Sequence, residues 1–179
     1  ASADGSMIVG FGRSASSYEA FRWTLSGGMV GLGLLNGSST TNSVSGDGTV
    51  AAGEGNGTGG GGLALRWTQS EGIMPLGDLP GGIESSAAYA VSADGSTIVG
   101  RATSASGFEA FRWTQASGMV GLGDLPGGSF DSYANGVSSD GSIVVGKATT
   151  GAGSEAFIWD ATNGMRRLQD VLTALGLDM

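Results

Sequence analysis

The sequence predicts an all-β chain: a β-propeller-like array of four four-stranded blades, the first of them incomplete, followed by a short C-terminal helix. Three observations predict it. A Ser-x-Asp-Gly marker recurs four times, a tryptophan recurs in phase with it, and each unit carries hairpin signals.

The marker falls at Ser2–Gly5, Ser45–Gly48, Ser92–Gly95 and Ser138–Gly141, so its aspartates are spaced by 43, 47 and 46 residues. Trp23, Trp67, Trp113 and Trp159 follow at intervals of 44, 46 and 46, and they are all the tryptophans in the chain. A third marker trails each tryptophan: Gly28–Gly33, Gly72–Gly77, Gly118–Gly123 and, altered, Gly164–Leu168. Repeats near 46 residues are propeller-blade length. They divide the chain into copies at about 1–36, 37–82, 83–128 and 129–168, with 168–179 as a helical cap.

The third copy shows the unit best. Ala88–Ser92 is a strand, Asp94-Gly95 a tight two-residue hairpin signal, and Thr97–Gly100 a β-branched second strand. Glu109–Thr114 is the third strand and Met119–Leu122 the fourth, ended by Asp124-Leu125-Pro126-Gly127-Gly128. Direct hairpins favour a propeller over a solenoid, whose coils stack parallel strands. In the third strand Glu109, Phe111 and Trp113 share a large face, and Ala110, Arg112 and Thr114 a small one. The large face of one blade can fill the small face of its neighbour.

The two ends depart from the pattern. Only Ala1 precedes Ser2, so the first copy lacks its first strand. Leu168, Val171, Leu172 and Leu175 follow helical spacing and predict an amphipathic cap. Incomplete ends predict an open array or self-association in a two-fold manner.

Composition narrows function mainly by exclusion. With no cysteine and no histidine, thiol nucleophiles, disulfides, Ser-His catalysis and nitrogen- or sulfur-ligated zinc are excluded. The net charge of −8, with eight basic residues, argues against nucleic acid and anionic membranes as partners. No apolar run approaches the roughly 18 residues of a membrane-spanning helix. The chain opens inside a repeat, so any targeting segment would lie outside it. No cofactor is expected.

The combination of Val91–Gly95, Ala110–Thr114 and Gly118–Gly128 resembles the HAF family of bacterial extracellular repeats, over nearly the whole chain. Where that family has His-Ala-Phe, this chain has Glu-Ala-Phe at Glu19, Glu109 and Glu155, and Leu63 in the second copy. The resemblance implies a secreted or outer-membrane-anchored setting, as in autotransporter passenger regions. It brings no defined activity and no functional residues.

Each candidate chemistry has a structural alternative. The Asp-Gly turns offer one carboxylate each, which suits turn formation better than calcium. Arg22, Arg66 and Arg112 suit structural ion pairs, with Glu or the turn aspartates as partners. The tryptophans suit a core more than sugar-stacking platforms. Asp78, Asp124 and Asp131, on connecting loops, are the candidates for glycoside hydrolysis, and the first two recur as turn residues. Ligand contacts are expected on variable loops at one end of the blades: Arg13–Tyr18, Glu54–Gly62, Thr103–Phe108, Thr149–Ser154, Gly81–Ser86 and Gly127–Ser132. Tyr18, Phe108, Phe130 and Asp131 are the candidates there. The leading expectation is a non-enzymatic surface module for adhesion, assembly or ligand binding. A carbohydrate-binding propeller is the alternative, and a glycoside hydrolase the third.

Overall fold

The computed structural model describes residues 1–15 and 17–177. It is all-β apart from one short helix. Strands β1 (Met7–Arg13), β2 (Tyr18–Thr24) and β3 (Gly28–Gly33) form a three-stranded sheet. Three four-stranded sheets follow. The second holds β4 (Ser39–Val44), β5 (Val50–Asn56), β6 (Gly62–Thr68) and β7 (Gly72–Pro75). The third holds β8 (Gly81–Val91), β9 (Thr97–Ser104), β10 (Gly107–Thr114) and β11 (Gly118–Gly121). The fourth holds β12 (Ser132–Val137), β13 (Ile143–Thr150), β14 (Gly153–Asp160) and β15 (Gly164–Arg167). Each sheet is an antiparallel meander in chain order.

The hairpins differ from the expected two-residue type. Ser92 to Gly95 close a four-residue turn, with the Gly95 amide donating to the Ser92 carbonyl at 3.0 Å. Only the glycine takes a positive φ, +73°. This is the longer hairpin loop in which a turn ends on a left-handed glycine. The loops at the opposite end of the blades are shorter than expected. Thr103, Ser104 and Phe108 continue the β9–β10 ladder, and β8 starts at Gly81, because main-chain pairing extends through these Thr and Ser residues.

Consecutive sheets pack face to face around their first strands, β4, β8 and β12. Asn42 Nδ2 donates across to the Ala88 carbonyl at 2.9 Å. The Ser-x-Asp-Gly turns also touch: Ala3 donates to Gly46, Gly46 to Ala93 and Asp94 to Ser139 through the main chain. Among the described residues no strand of the fourth sheet packs extensively on the first, so the array is open.

The faces interlock as the alternation predicts, in one direction. Phe111 packs into a cluster with Val50, Ala52 and Ala64 of the second sheet and with Leu76 and Leu79, which follow its last strand. Phe157 does the same against Val99 and Ala110 of the third and against Leu122 and Leu125 beyond it. The large face of each sheet therefore fills the small face of the one before it. The tryptophans sit at equivalent register positions, but only Trp67 is buried; the other three are half-buried. The largest fully buried side chains are Phe111, Phe157 and Leu65, two residues earlier on the same face. They lie further from the blade ends, where the neighbouring sheet covers them.

A buried serine fixes each junction, and nothing in the sequence pattern had singled it out. Ser132 Oγ donates to the Gly123 carbonyl at 2.7 Å and accepts from the Ala110 amide at 2.9 Å. Ser86 does this for Gly77 and Ala64, and Ser39 for Gly33 and Ala20. Each serine lies on the first strand of one sheet and joins two main-chain groups of the preceding blade.

The expected C-terminal cap forms a helix, α1 (Leu168–Ala174), but it does not cover the open small face of the fourth sheet. It folds back on β14 and β15, beside Leu125 and Pro126. Ile143 and Val145 stay 40% exposed, while their counterparts Thr97 and Val99 are 1% and 0% exposed. Residues 178 and 179 of the expected cap lie outside the described residues. No helix among the described residues is long and apolar enough to cross a membrane.

Candidate functional site

At the hairpin end, each turn aspartate is engaged by its own loop. Asp140 Oδ1 accepts from the Ser138 hydroxyl at 2.6 Å and the Ser142 amide at 3.1 Å, and Oδ2 accepts from the Ser142 hydroxyl at 2.9 Å. The Ser138 hydroxyl in turn accepts from the Ile143 amide at 2.9 Å. Asp47 and Asp94 repeat this network, and Asp4 most of it. These bonds favour the ionised form. The Ser138 hydroxyl and Ser142 amide hold Asp140 down to about 2. The Ser6 amide, then the Ser6 and Ser2 hydroxyls, do the same for Asp4, also to about 2. Asp47 and Asp94 are lowered chiefly by Ser45 and Ser92.

A folded value below the unfolded one stabilises the fold above the unfolded carboxylate value and loses that contribution on acidification. The melting temperature is expected to be flat from pH 7 to about 5 and to fall between about 4 and 2, where these carboxylates protonate. Thermal melts across this range check it. Asp94→Asn and Asp140→Asn together should flatten the acid limb.

The arginines do not form the expected repeated ion pair. Arg22 lies over the Trp67 ring at 5.8 Å, and Arg66 over Trp113 at 6.0 Å. Arg112 instead donates to the Gly141 carbonyl at 3.2 Å. Each thus reaches the next sheet, and two of them cover a tryptophan ring. Of these three, only Arg66 has an acidic partner among the described residues, the non-repeated Glu71. The glutamates turn the other way. Glu109 accepts from the Gly123 amide at 3.0 Å and Glu19 from the Gly33 amide at 3.2 Å. In the fourth sheet Arg167 stands where the third has Gly121, opposite the aromatic residue of the third strand, and it pairs with Glu155 at 2.9 Å.

Asp78 and Asp124 cap their own loops. Asp124 accepts from the amides of Leu125 and Asp131, both at 2.9 Å, and Asp78 from those of Leu79 and Ser85.

At the opposite end, three of the four candidates come together. Phe108 forms a parallel bridge with Asp131, and Phe130 precedes it along the chain. Asp131 Oδ1 is buried with no hydrogen-bond partner among the described residues. Tyr18 is elsewhere, on the first sheet, edge-on to Phe11 at 6.0 Å. All but Phe130 lie at or beside strand ends rather than on long loops.

Residues that the sequence reading passed over complete the cluster. The Arg101 guanidinium lies 4.5 Å from the Phe108 ring centroid and 5.2 Å from that of Tyr133. Its Nη1 donates to the Tyr133 hydroxyl at 3.3 Å. Lys147 lies over the same tyrosine ring at 4.8 Å. Register explains the contacts. Tyr133 sits directly opposite Lys147, and Phe108 is opposite Thr103, diagonal to Arg101. Tyr89 is nearby, its hydroxyl held in the neutral form by burial. The signal was available in sequence: Arg101 and Lys147 occupy one repeat position, 46 residues apart, where the first two copies carry Phe11 and Glu54.

No family model matches the chain, and no curated protein matches it. Solved structures do. The chain is similar to TolB from Acinetobacter baumannii, at 16% identity and a TM-score of 0.65, over 93% of this chain and 41% of that one. It is also similar to a protein described as a TolB of Agrobacterium tumefaciens, at 15% identity and a TM-score of 0.65, over 93% of this chain and 62% of that one. The likeness shows the β-propeller fold. The chain spans less than two thirds of the length of either structure.

Proposed function

We propose that the chain is a non-enzymatic, ligand-binding part of a bacterial β-propeller working at the cell surface or outside the cell, and that it binds acidic glycans. The extracellular setting rests on the resemblance to HAF repeats. The ligand class rests on one observation: Arg101 and Lys147 share the Tyr133 ring, and neither takes part in an ion pair among the described residues. In a chain of net charge −8, two cations held by aromatic rings keep their charge available to a carboxylate or sulfate. Phe108 and Tyr133 beside them supply aromatic surface for a sugar ring.

A glycan array with acidic and neutral sugars tests the reading. Binding to acidic glycans is expected. Arg101→Ala and Lys147→Ala should each weaken it about tenfold or more, since a charged hydrogen bond is worth about 1.5–3 kcal/mol. Neither should move the melting temperature appreciably. Preference for neutral sugars, or undiminished binding by the double variant, contradicts the assignment.

A further inference from the structure

We infer that the free edge of β1 is a docking site for one extended strand of the repeat's own first-strand type, Ser-x-Ala/Thr, antiparallel to β1 and approaching from the Ala1 side. The key residue is Gly10. In the other three sheets the matching glycine is required by the first strand. A Cβ on Gly53, Gly100 or Gly146 would stand 1.9 Å from the carbonyl oxygen of Thr40, Ala87 or Tyr133. At Gly10 no such strand is present, and a Cβ would meet only the end of the Phe21 ring, at 3.0 Å. The glycine keeps a clearance that nothing in this sheet uses.

Direction and register follow from the turn. Ser2–Gly5 has the same bonds as its three counterparts, with the Ser2 amide on the Met7 carbonyl at 2.8 Å and Gly5 on Ser2 at 3.0 Å. It therefore aims an incoming strand along β1 as Ser92–Gly95 aims β8 along β9. Ser86 opposite Ala102 and Ala88 opposite Gly100 then map to a serine opposite Gly12 and a small residue opposite Gly10. Main-chain pairing supplies the affinity and the glycine clearance the selectivity.

The test joins the sequence of Gly81–Ala90 to the chain ahead of Ala1, and compares melting temperatures and hydrogen exchange of the β1 amides. The extension should raise the melting temperature by several degrees and protect β1. The same extension with proline at the Ala88 and Ala90 positions should do neither. Gly10→Ala should leave the unextended chain within a degree or two, because only the Phe21 ring must shift, yet abolish the gain from the extension. No gain, or an equal gain with Gly10→Ala, overturns the inference. So does a dimer of the unextended chain that Gly10→Ala dissolves and the extension does not, which would make the occupant a second copy.

Discussion

Phe111→Ala is expected to cost about 3–5 kcal/mol of stability, the usual range for emptying a fully buried aromatic site. The cost arises between two sheets rather than within one. Phe111 projects from β10 into a pocket made by Val50, Ala52, Ala64, Leu76 and Leu79, and those residues cannot close over the void without moving the whole second sheet. Trp113→Ala should cost less, although tryptophan is the larger residue, because its ring is only half-buried. Urea denaturation of both variants checks the order. A larger loss for tryptophan would place the weight of the junction at the blade ends instead.

Ser132→Ala is expected to be the next most damaging change, although it removes a single oxygen. It strands the Ala110 amide and the Gly123 carbonyl, which the hydroxyl joins across the junction. Each buried polar group left unpaired costs about 1–3 kcal/mol. Ser129→Ala, at an exposed site three residues earlier, should be close to neutral. A neutral Ser132→Ala would mean that the two main-chain groups find water, and that packing alone holds the sheets.

The repeat made much of this fold legible. The phase of Asp, Gly and Trp located the four units, and the alternation Glu109-Ala110-Phe111-Arg112-Trp113 showed which residues share a face. What it did not show was depth. Phe111 and Trp113 share a face, but distance from the blade end decides which is buried, and that depends on the neighbouring sheet. Ser39, Ser86 and Ser132 were equally in phase with the repeat, yet serine in a strand carries no hydrophobic signal, and its role appears only when two sheets meet. The cluster of Arg101, Tyr133 and Lys147 is hidden for the opposite reason. Arg101 and Lys147 lie where the copies differ, and a search for what repeats looks past such positions. Phe108 and Asp131 were found as exposed or variable residues; the cations that join them to Tyr133 depend on cross-strand register.

One junction, built from a large face, a small face and a serine bridge, is used three times in the same direction and left open on the fourth sheet. Hydrogen exchange at four equivalent amides tests it most directly. Ala20, Ala64 and Ala110 donate to the serine of the following sheet and are buried, whereas Ala156 is exposed. In dilute solution the first three should exchange slowly and Ala156 fast. Comparable protection at all four would contradict the account, because it would mean that the small face of the fourth sheet is covered.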